Sequence, residues 1–467
     1  MLERLFQLKQ NKTNVSTEAI AGLTTFLSMS YILFVNPDML AQTGMDKTAV
    51  FMATAIAAAV GSLLIGLLAN YPFAQAPGMG LNAFFTFTVV FGLGYTWQQG
   101  LAIVFLSGVL FLLLTVTGLR AAIIKAIPYE LKMAIAPGIG LFIALIGLNN
   151  AGLMSINQGP IIDIILGSES LEANALIDSV QNAPPQIIEL GDVRNPAVIL
   201  AFVGLMLLTA LMILKVKGAM LWAIVGTTLL GIPMGVTAFP TSYQLSDLSI
   251  APTAFQLDFV GLFTPPEGVS QINAVLTLLL VVISFALVDL LDTLGTLLGT
   301  ASQGDLLDEE GNLPRMNKAL FADASATTLG ALLGTSSVTT YIESGSGIAA
   351  GGRTGLAAMV AAGFFLLSIF LAPVAGMVPP AATSPVLIMV GILMFNNIQK
   401  IDLGDLEQAI PAVLLILLMP FTYSIANGIA FGLLFYVLIQ LLLKKGSTLH
   451  LILYVLVVLF MLRYVFI

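Results

Sequence analysis

Long apolar runs separated by short polar stretches fill nearly the whole chain. A run of about 17–25 apolar residues is long enough to cross a bilayer as a helix. Such runs fall near 18–37, 49–69, 73–92, 97–117, 132–152, 195–214, 218–239, 272–300, 316–334, 335–351, 355–377, 383–397, 408–424 and 425–443, which predicts fourteen spans. The stretch 408–443 is hydrophobic almost throughout and is divided at a turn expected at "SIANG" (Ser424 to Gly428). A last apolar run, 448–466, either crosses or lies at the interface. The first run, from Ala19, is about 19 residues long and ends without an A-x-A site, so it reads as a span and not as a cleaved leader.

Fourteen spans divide into seven plus seven. Seven is odd, so the two halves have opposite topology, and inverted repeats of this kind place a binding site near the midplane, at discontinuous helices. The third and tenth spans supply the breaks. The third begins "YPFAQAPGMGLNAFF" (Tyr71 to Phe85) and the tenth reads "GTSSVTTYIESGSGIAAGG" (Gly334 to Gly352). Each combines a short β-like piece, small residues and a short apolar helix. Extended backbone at membrane depth is tolerated where it is buried in protein or lines a cavity. A weaker echo links "LIGLNNAG" at the end of the fifth span to "ILMFNNIQ" at the end of the twelfth.

Composition agrees with this map. The 467 residues are 58% hydrophobic and 9% charged, with a mean hydropathy of +1.01, whereas soluble domains carry about 25% charge. The expected fold is an all-α polytopic membrane protein. With the N-terminus in the cytoplasm, the inner side receives Arg4, Lys9, Lys12, Arg120, Lys125, Lys132, Lys215, Lys217, Arg315, Lys318, Arg353, Lys400, Lys444 and Lys445. The outer side receives Lys47, Arg194 and Arg463, so 14 of the 17 cations obey the positive-inside bias. The expected location is a cell (inner or plasma) membrane. There is no cysteine, and His450 is the single histidine, so no thiolate or His-rich metal centre and no cofactor is expected. The net charge of −8, part of it in the acid-rich stretch 150–195, argues against nucleic-acid binding.

Against this apolar background "FALVDLLDTLGTLLG" (Phe285 to Gly299) places Asp289 and Asp292 three apart, on one side of the eighth span. A charged group at the bilayer centre costs several kcal/mol, so such residues face a cavity and mark a function by default. Glu343 sits where the tenth-span half-helix begins, and Asn82 holds the matching place in the third, each beside amides expected to be free for an anion or a carbonyl oxygen. Asn82, Asp289, Asp292 and Glu343 form the candidate polar cluster; Ala83, Tyr341, Ile342 and Ser344 flank it. Asp292 is the member expected to bridge to a neighbouring half-helix. Asp323 is expected nearer the cytoplasmic end as a packing or capping residue, and Ser28 and Ser30 are expected to bond their own backbone. Phe84, Phe85, Phe285 and Tyr341 are either packing or a stack for a flat ligand. Arg353 in "GGRT" marks a cytoplasmic end. The loop "GDLLDEEGNLPR" is a solvated acidic turn whose spacing does not fit a calcium loop.

Four motifs, "TTFLSMSYILFVNP", "APGMGLNAFF", "VDLLDTLGTL" and "GTSSVTTYIESGSGIAAGGRTGLAA", closely resemble the AzgA-like purine permeases among the nucleobase–cation symporters. The resemblance runs over essentially the whole chain. It implies fourteen spans in inverted repeats. A core domain (spans 1–4 and 8–11; residues 1–118 and 241–378) would move against a gate domain (spans 5–7 and 12–14; residues 119–240 and 379–467), which could support a homodimer. It implies import of guanine, hypoxanthine, adenine or xanthine with protons. By motif, Asp289 corresponds to the purine-binding acid of the eighth span, Glu343 to a second binding acid, and Asn82 to a polar contact. Asp292 corresponds to a residue needed for function in a less direct way. Proton coupling falls to Asp289, Glu343 and Asp292.

An ionised carboxylate accepts two adjacent N–H bonds, as a purine edge offers, and a protonated one can donate to a ring nitrogen or carbonyl. Two alternatives stand beside this reading. One is a same-fold transporter for uracil or another nucleobase. The other is an intramembrane aspartyl protease, disfavoured because the two aspartates share one helix and the Gly-Asp pairs at Gly304 and Gly404 fall in loops.

Overall fold

The computed structural model describes residues 2–117, 123, 126–156, 188–238, 248–264, 271–304, 306–308 and 313–466. Arg120, Lys125, most of the acid-rich stretch and part of the "GDLLDEEGNLPR" loop, Asp305 included, lie outside them. Among the described residues, eight helices are long and apolar enough to cross a membrane, and shorter apolar helices stand at the third, seventh, eleventh and thirteenth predicted positions. The ninth span is the helix Met316–Leu333 and the eighth is the 33-residue helix Gln271–Gln303. The turn expected at "SIANG" is present: the helix Leu406–Phe421 ends, Tyr423 takes a φ of 49°, and Ser424 caps Ile425–Leu442 through the Asn427 amide. The last apolar run is helical over Leu451–Phe466 and packs on the eighth and fourteenth spans.

The first span is two helices, Val15–Met29 and Ile32–Leu40, interrupted at Ser30 and Tyr31. Ser30 donates to the Leu27 carbonyl at 3.1 Å and Ser28 to that of Thr24 at 3.0 Å, as expected of serines in membrane helices.

Both predicted breaks are real, and they meet. Strand β1 (Gln75–Pro77) precedes a half-helix that starts at Met79 and runs to Gly92, widening to π geometry from Phe84. Two further strands, β2 (Met154–Ile156) and β3 (Ile188–Leu190), pair with each other outside the bundle and had no signature in the hydrophobic pattern. Strand β4 (Val338–Thr340) precedes the half-helix Ser344–Ala349. β1 and β4 pair antiparallel, Gln75 opposite Thr340 and Pro77 opposite Val338. Two strands from opposite halves thus satisfy each other's backbone at membrane depth, where no water is present to do so.

The crossing is held by buried side chains. Asp323 is fully buried and accepts from Thr293 Oγ1 at 2.8 Å and Gln75 Nε2 at 3.1 Å. It therefore ties the ninth span to the eighth and to β1; it packs, as expected, but at the crossing and not near a membrane face. Glu18, also fully buried, accepts from the Arg353, Thr354 and Ala357 amides at 2.9, 3.3 and 3.2 Å. It caps the eleventh-span helix Gly355–Leu367 from the first span, a carboxylate where the helix dipole favours one. Arg353 finds carbonyl partners, donating to Ile348 and Gly352 at the end of the tenth-span half-helix at 2.8 and 2.7 Å. Gly355 fits because a Cβ there would fall on the Gly66 backbone of the second span.

Candidate functional site

The candidate residues gather at the two ends of β4. At its start, Ser336 donates to Asn82 Oδ1, and Ser337 donates to Asp289 Oδ1 at 3.0 Å. Thr327 of the ninth span reaches the second Asp289 oxygen at 3.4 Å and also donates to the Val338 carbonyl at 2.9 Å. Asn82 and Asp289 are both buried. The third span, the eighth span and the tenth-span strand are thus joined through two adjacent serines. The bridging expected of Asp292 is made here by Asp289.

Past the end of β4 lies the second group. Glu343 immediately precedes the half-helix and is half-buried, and its Oε1 accepts from the Tyr31 hydroxyl at 2.7 Å. Asp292, also half-buried, stands close enough for its charge to act on Glu343. The buried Tyr341 ring lies 6.5 Å from that of Tyr31, with its hydroxyl turned to the Pro77 carbonyl at 2.5 Å. Ser344 is buried and accepts from the Ala74 amide at 3.0 Å, so its side chain fixes β1. Ala83 is buried, while Ile342 is exposed.

One expectation is corrected. The amides at the start of the tenth-span half-helix are not free: those of Ser344, Gly345 and Ser346 donate to the Tyr341, Ile342 and Glu343 carbonyls at 3.1, 3.0 and 2.9 Å. Tight i to i+3 turns satisfy this segment internally. Among the aromatics, Phe84 and Phe285 pack on each other with centroids 4.8 Å apart, and Phe85 lies against Gly100; all three are buried. These three serve packing.

Access exists on one side of the eighth span. Asp292 is followed by exposed Gly295, and a Cβ built on Gly295 meets nothing within 4 Å. One turn further, Gly299 would meet only Ile342, at 3.9 Å. Asp292, Gly295, Gly299, Ile342 and Glu343 therefore border open space, whereas Asn82 and Asp289 lie behind them.

Sequence reasoning missed Tyr31, Gln75, Thr293, Ser336 and Ser337. Each is an uncharged polar residue in an apolar context, where hydroxyls are common and most bond their own helix. Nothing in the local pattern separates them from Ser28.

The Permease family model (Xan_ur_permease) matches residues 16–177 and 172–431. The chain is 40% identical to the adenine permease AdeP of Escherichia coli (strain K12) over 94% of its own length and 91% of that protein's. It is 40% identical to the guanine/hypoxanthine permease PbuG of Bacillus subtilis (strain 168) over the whole of both chains, 100% of each. Among solved structures, the transmembrane domain of the cyanobacterial bicarbonate transporter BicA superposes with a TM-score of 0.60 at 17% identity, covering 88% of this chain and 97% of that one. That likeness establishes a shared transporter fold.

Proposed function

Because the chain belongs to the Permease family (Xan_ur_permease), we propose that it imports purine nucleobases across a cell membrane together with protons. A permease is a transporter and not an enzyme, which removes the protease alternative. The observation that carries the substrate reading is the half-buried Glu343 beside Asp292, open on the Gly295 side and backed by Asn82 and Asp289. A planar ring edge with adjacent N–H donors matches a carboxylate that has oxygens to spare. A carboxylate-lined site repels anions, so the bicarbonate of the structural neighbour does not carry over.

Protons enter the mechanism through charge. A protonated carboxyl carries no charge and can donate a hydrogen bond. Proton binding neutralises the cluster, purine bonds to it, and the core then moves without carrying an unpaired charge. The test is a competition panel of unlabelled adenine, guanine, hypoxanthine, xanthine and uracil against labelled hypoxanthine uptake. Purines are expected to compete, uracil is not, and a protonophore is expected to collapse accumulation. Accumulation that survives the protonophore would remove proton coupling, and competition by uracil alone would remove the purine reading.

The motion is an elevator-like sliding of core on gate. A polar link spans the expected boundary: Thr383 of the twelfth span donates to Asp38 of the first at 2.7 Å, and Lys47 of the second pairs with Asp38 at 3.0 Å. The chain has no native cysteine. An Asp38→Cys, Thr383→Cys double variant is therefore expected to lose uptake on oxidation and regain it on reduction. Full-rate uptake by the cross-linked protein would exclude sliding at this boundary.

A further inference from the structure

The transport reading names acids but not what orients them. Glu343 sits on a turn between a strand and a short helix, and it faces a second carboxylate, Asp292, which repels it. Tyr31 donates to it, and Tyr341 and Asp292 stand close enough to feel its charge. The Tyr341 hydroxyl is occupied by the Pro77 carbonyl. Asp292 brings only negative charge unless it is protonated. The side chain that donates to Glu343 is Tyr31, which reaches it from the interruption of the first span.

We propose that Tyr31 is a positioning residue for substrate: its hydroxyl holds Oε1 of Glu343 and leaves Oε2 for the purine edge. The ring of Tyr31 is 1% exposed, so the hydroxyl is presented from a fixed body. The same half-helix is tied to the first span a second time. Ser346 Oγ donates to Ser28 Oγ at 2.9 Å, and the Ser346 amide donates to the Glu343 carbonyl at 2.9 Å. The side chain and the backbone of Glu343 are thus both referenced to the first span, one at Tyr31 in its interruption and the other at Ser28 just before it. A hydroxyl–carboxylate bond is charge-assisted, short and directional. It selects one rotamer of a side chain whose three torsions are otherwise free. The hydroxyl's proton is committed to Glu343, so Tyr31 acts on the substrate through the acid and does not donate to it.

This inference rests on the purine-transport reading, and one experiment separates the two. Initial rates of labelled hypoxanthine uptake are measured over a range of concentrations for the wild-type protein and Tyr31→Phe, which keeps the buried ring and removes the donor. KM is expected to rise about tenfold or more, as loss of a hydrogen bond to a charged group implies. Vmax per transporter in the membrane is expected to stay within about twofold. KM does not depend on the amount of transporter, so reduced abundance of the variant leaves the reading intact. Purified protein supplies a second one: stabilisation of the folded fraction by hypoxanthine should need a correspondingly higher concentration in Tyr31→Phe. A wild-type KM and a wild-type stabilisation curve would overturn the role of Tyr31 while leaving the transport reading in place. Absence of purine uptake by the wild-type protein would instead overturn the transport reading itself.

Discussion

Glu343→Gln is expected to bring purine uptake to background while the protein still reaches the membrane in normal amount. Glutamine keeps the shape of the side chain and one acceptor oxygen, so Tyr31 retains a partner. It loses the charge and the second acceptor, and it cannot take up a proton. Hydrogen bonds to a charged group contribute about 1.5–3 kcal/mol each, so losing the one made at Oε2 costs about ten- to a hundredfold in binding, and the proton site is lost with it. Asp289→Asn is expected to act in the same direction. Its surroundings tolerate the amide, because Ser337 and Thr327 are hydroxyls that accept as well as donate. Uptake of labelled hypoxanthine, divided by transporter abundance in isolated membranes, is the measurement. Near-normal uptake in both variants would remove the acids from the mechanism.

The second large effect concerns stability. Asp323→Ala is expected to lower the melting temperature of the purified protein sharply, because it removes the acceptor shared by Thr293 and Gln75 at the centre of the crossing. Each buried donor left without a partner costs about 1–3 kcal/mol. Gln75 also donates to Thr340 at 3.1 Å, and Thr293 lies 3.0 Å from Thr339, so the loss spreads into two of the three β4 residues paired with β1. Asp323→Asn, which keeps an acceptor oxygen, is expected to fall between the alanine variant and the wild type. Melting is read by retention of a monodisperse peak after heating in detergent. An unchanged profile for the alanine variant would show that the crossing does not depend on this carboxylate.

The spans were legible in the sequence because the membrane imposes one condition, a sufficient length of apolar residues, that each segment meets by itself. The breaks were legible for a related reason. "YPFAQAPGMG" and "GTSSVTTYIESGSG" combine proline, glycine and β-branched residues in ways a continuous helix rejects. Asp289, Asp292 and Glu343 stood out because charge in hydrocarbon needs a reason.

The distribution of work among those acids was not legible. Asp289 and Asp292 are three residues apart and share one side of a helix, yet one bonds to Ser337 and Thr327 while the other faces Glu343. Tyr31 and Glu343 are separated by 312 positions, and their bond exists only because the first span and the tenth-span break are brought side by side. The free amides expected at the half-helix start were lost to local turns for the same kind of reason: backbone groups bond whatever the fold places nearest.

The sequence by itself determined that this chain is a many-spanned membrane protein with two interrupted helices and a small set of intramembrane acids, since apolar length, helix-breaking residues and the cost of buried charge are properties of each segment alone. Only the tertiary structure decided that the two interruptions pair as strands, that Asp323 and Asp289 fasten the crossing, and that Glu343 accepts from Tyr31 at the first-span interruption. Those outcomes depend on the rotation and depth at which separate helices pack. Local sequence does not specify either.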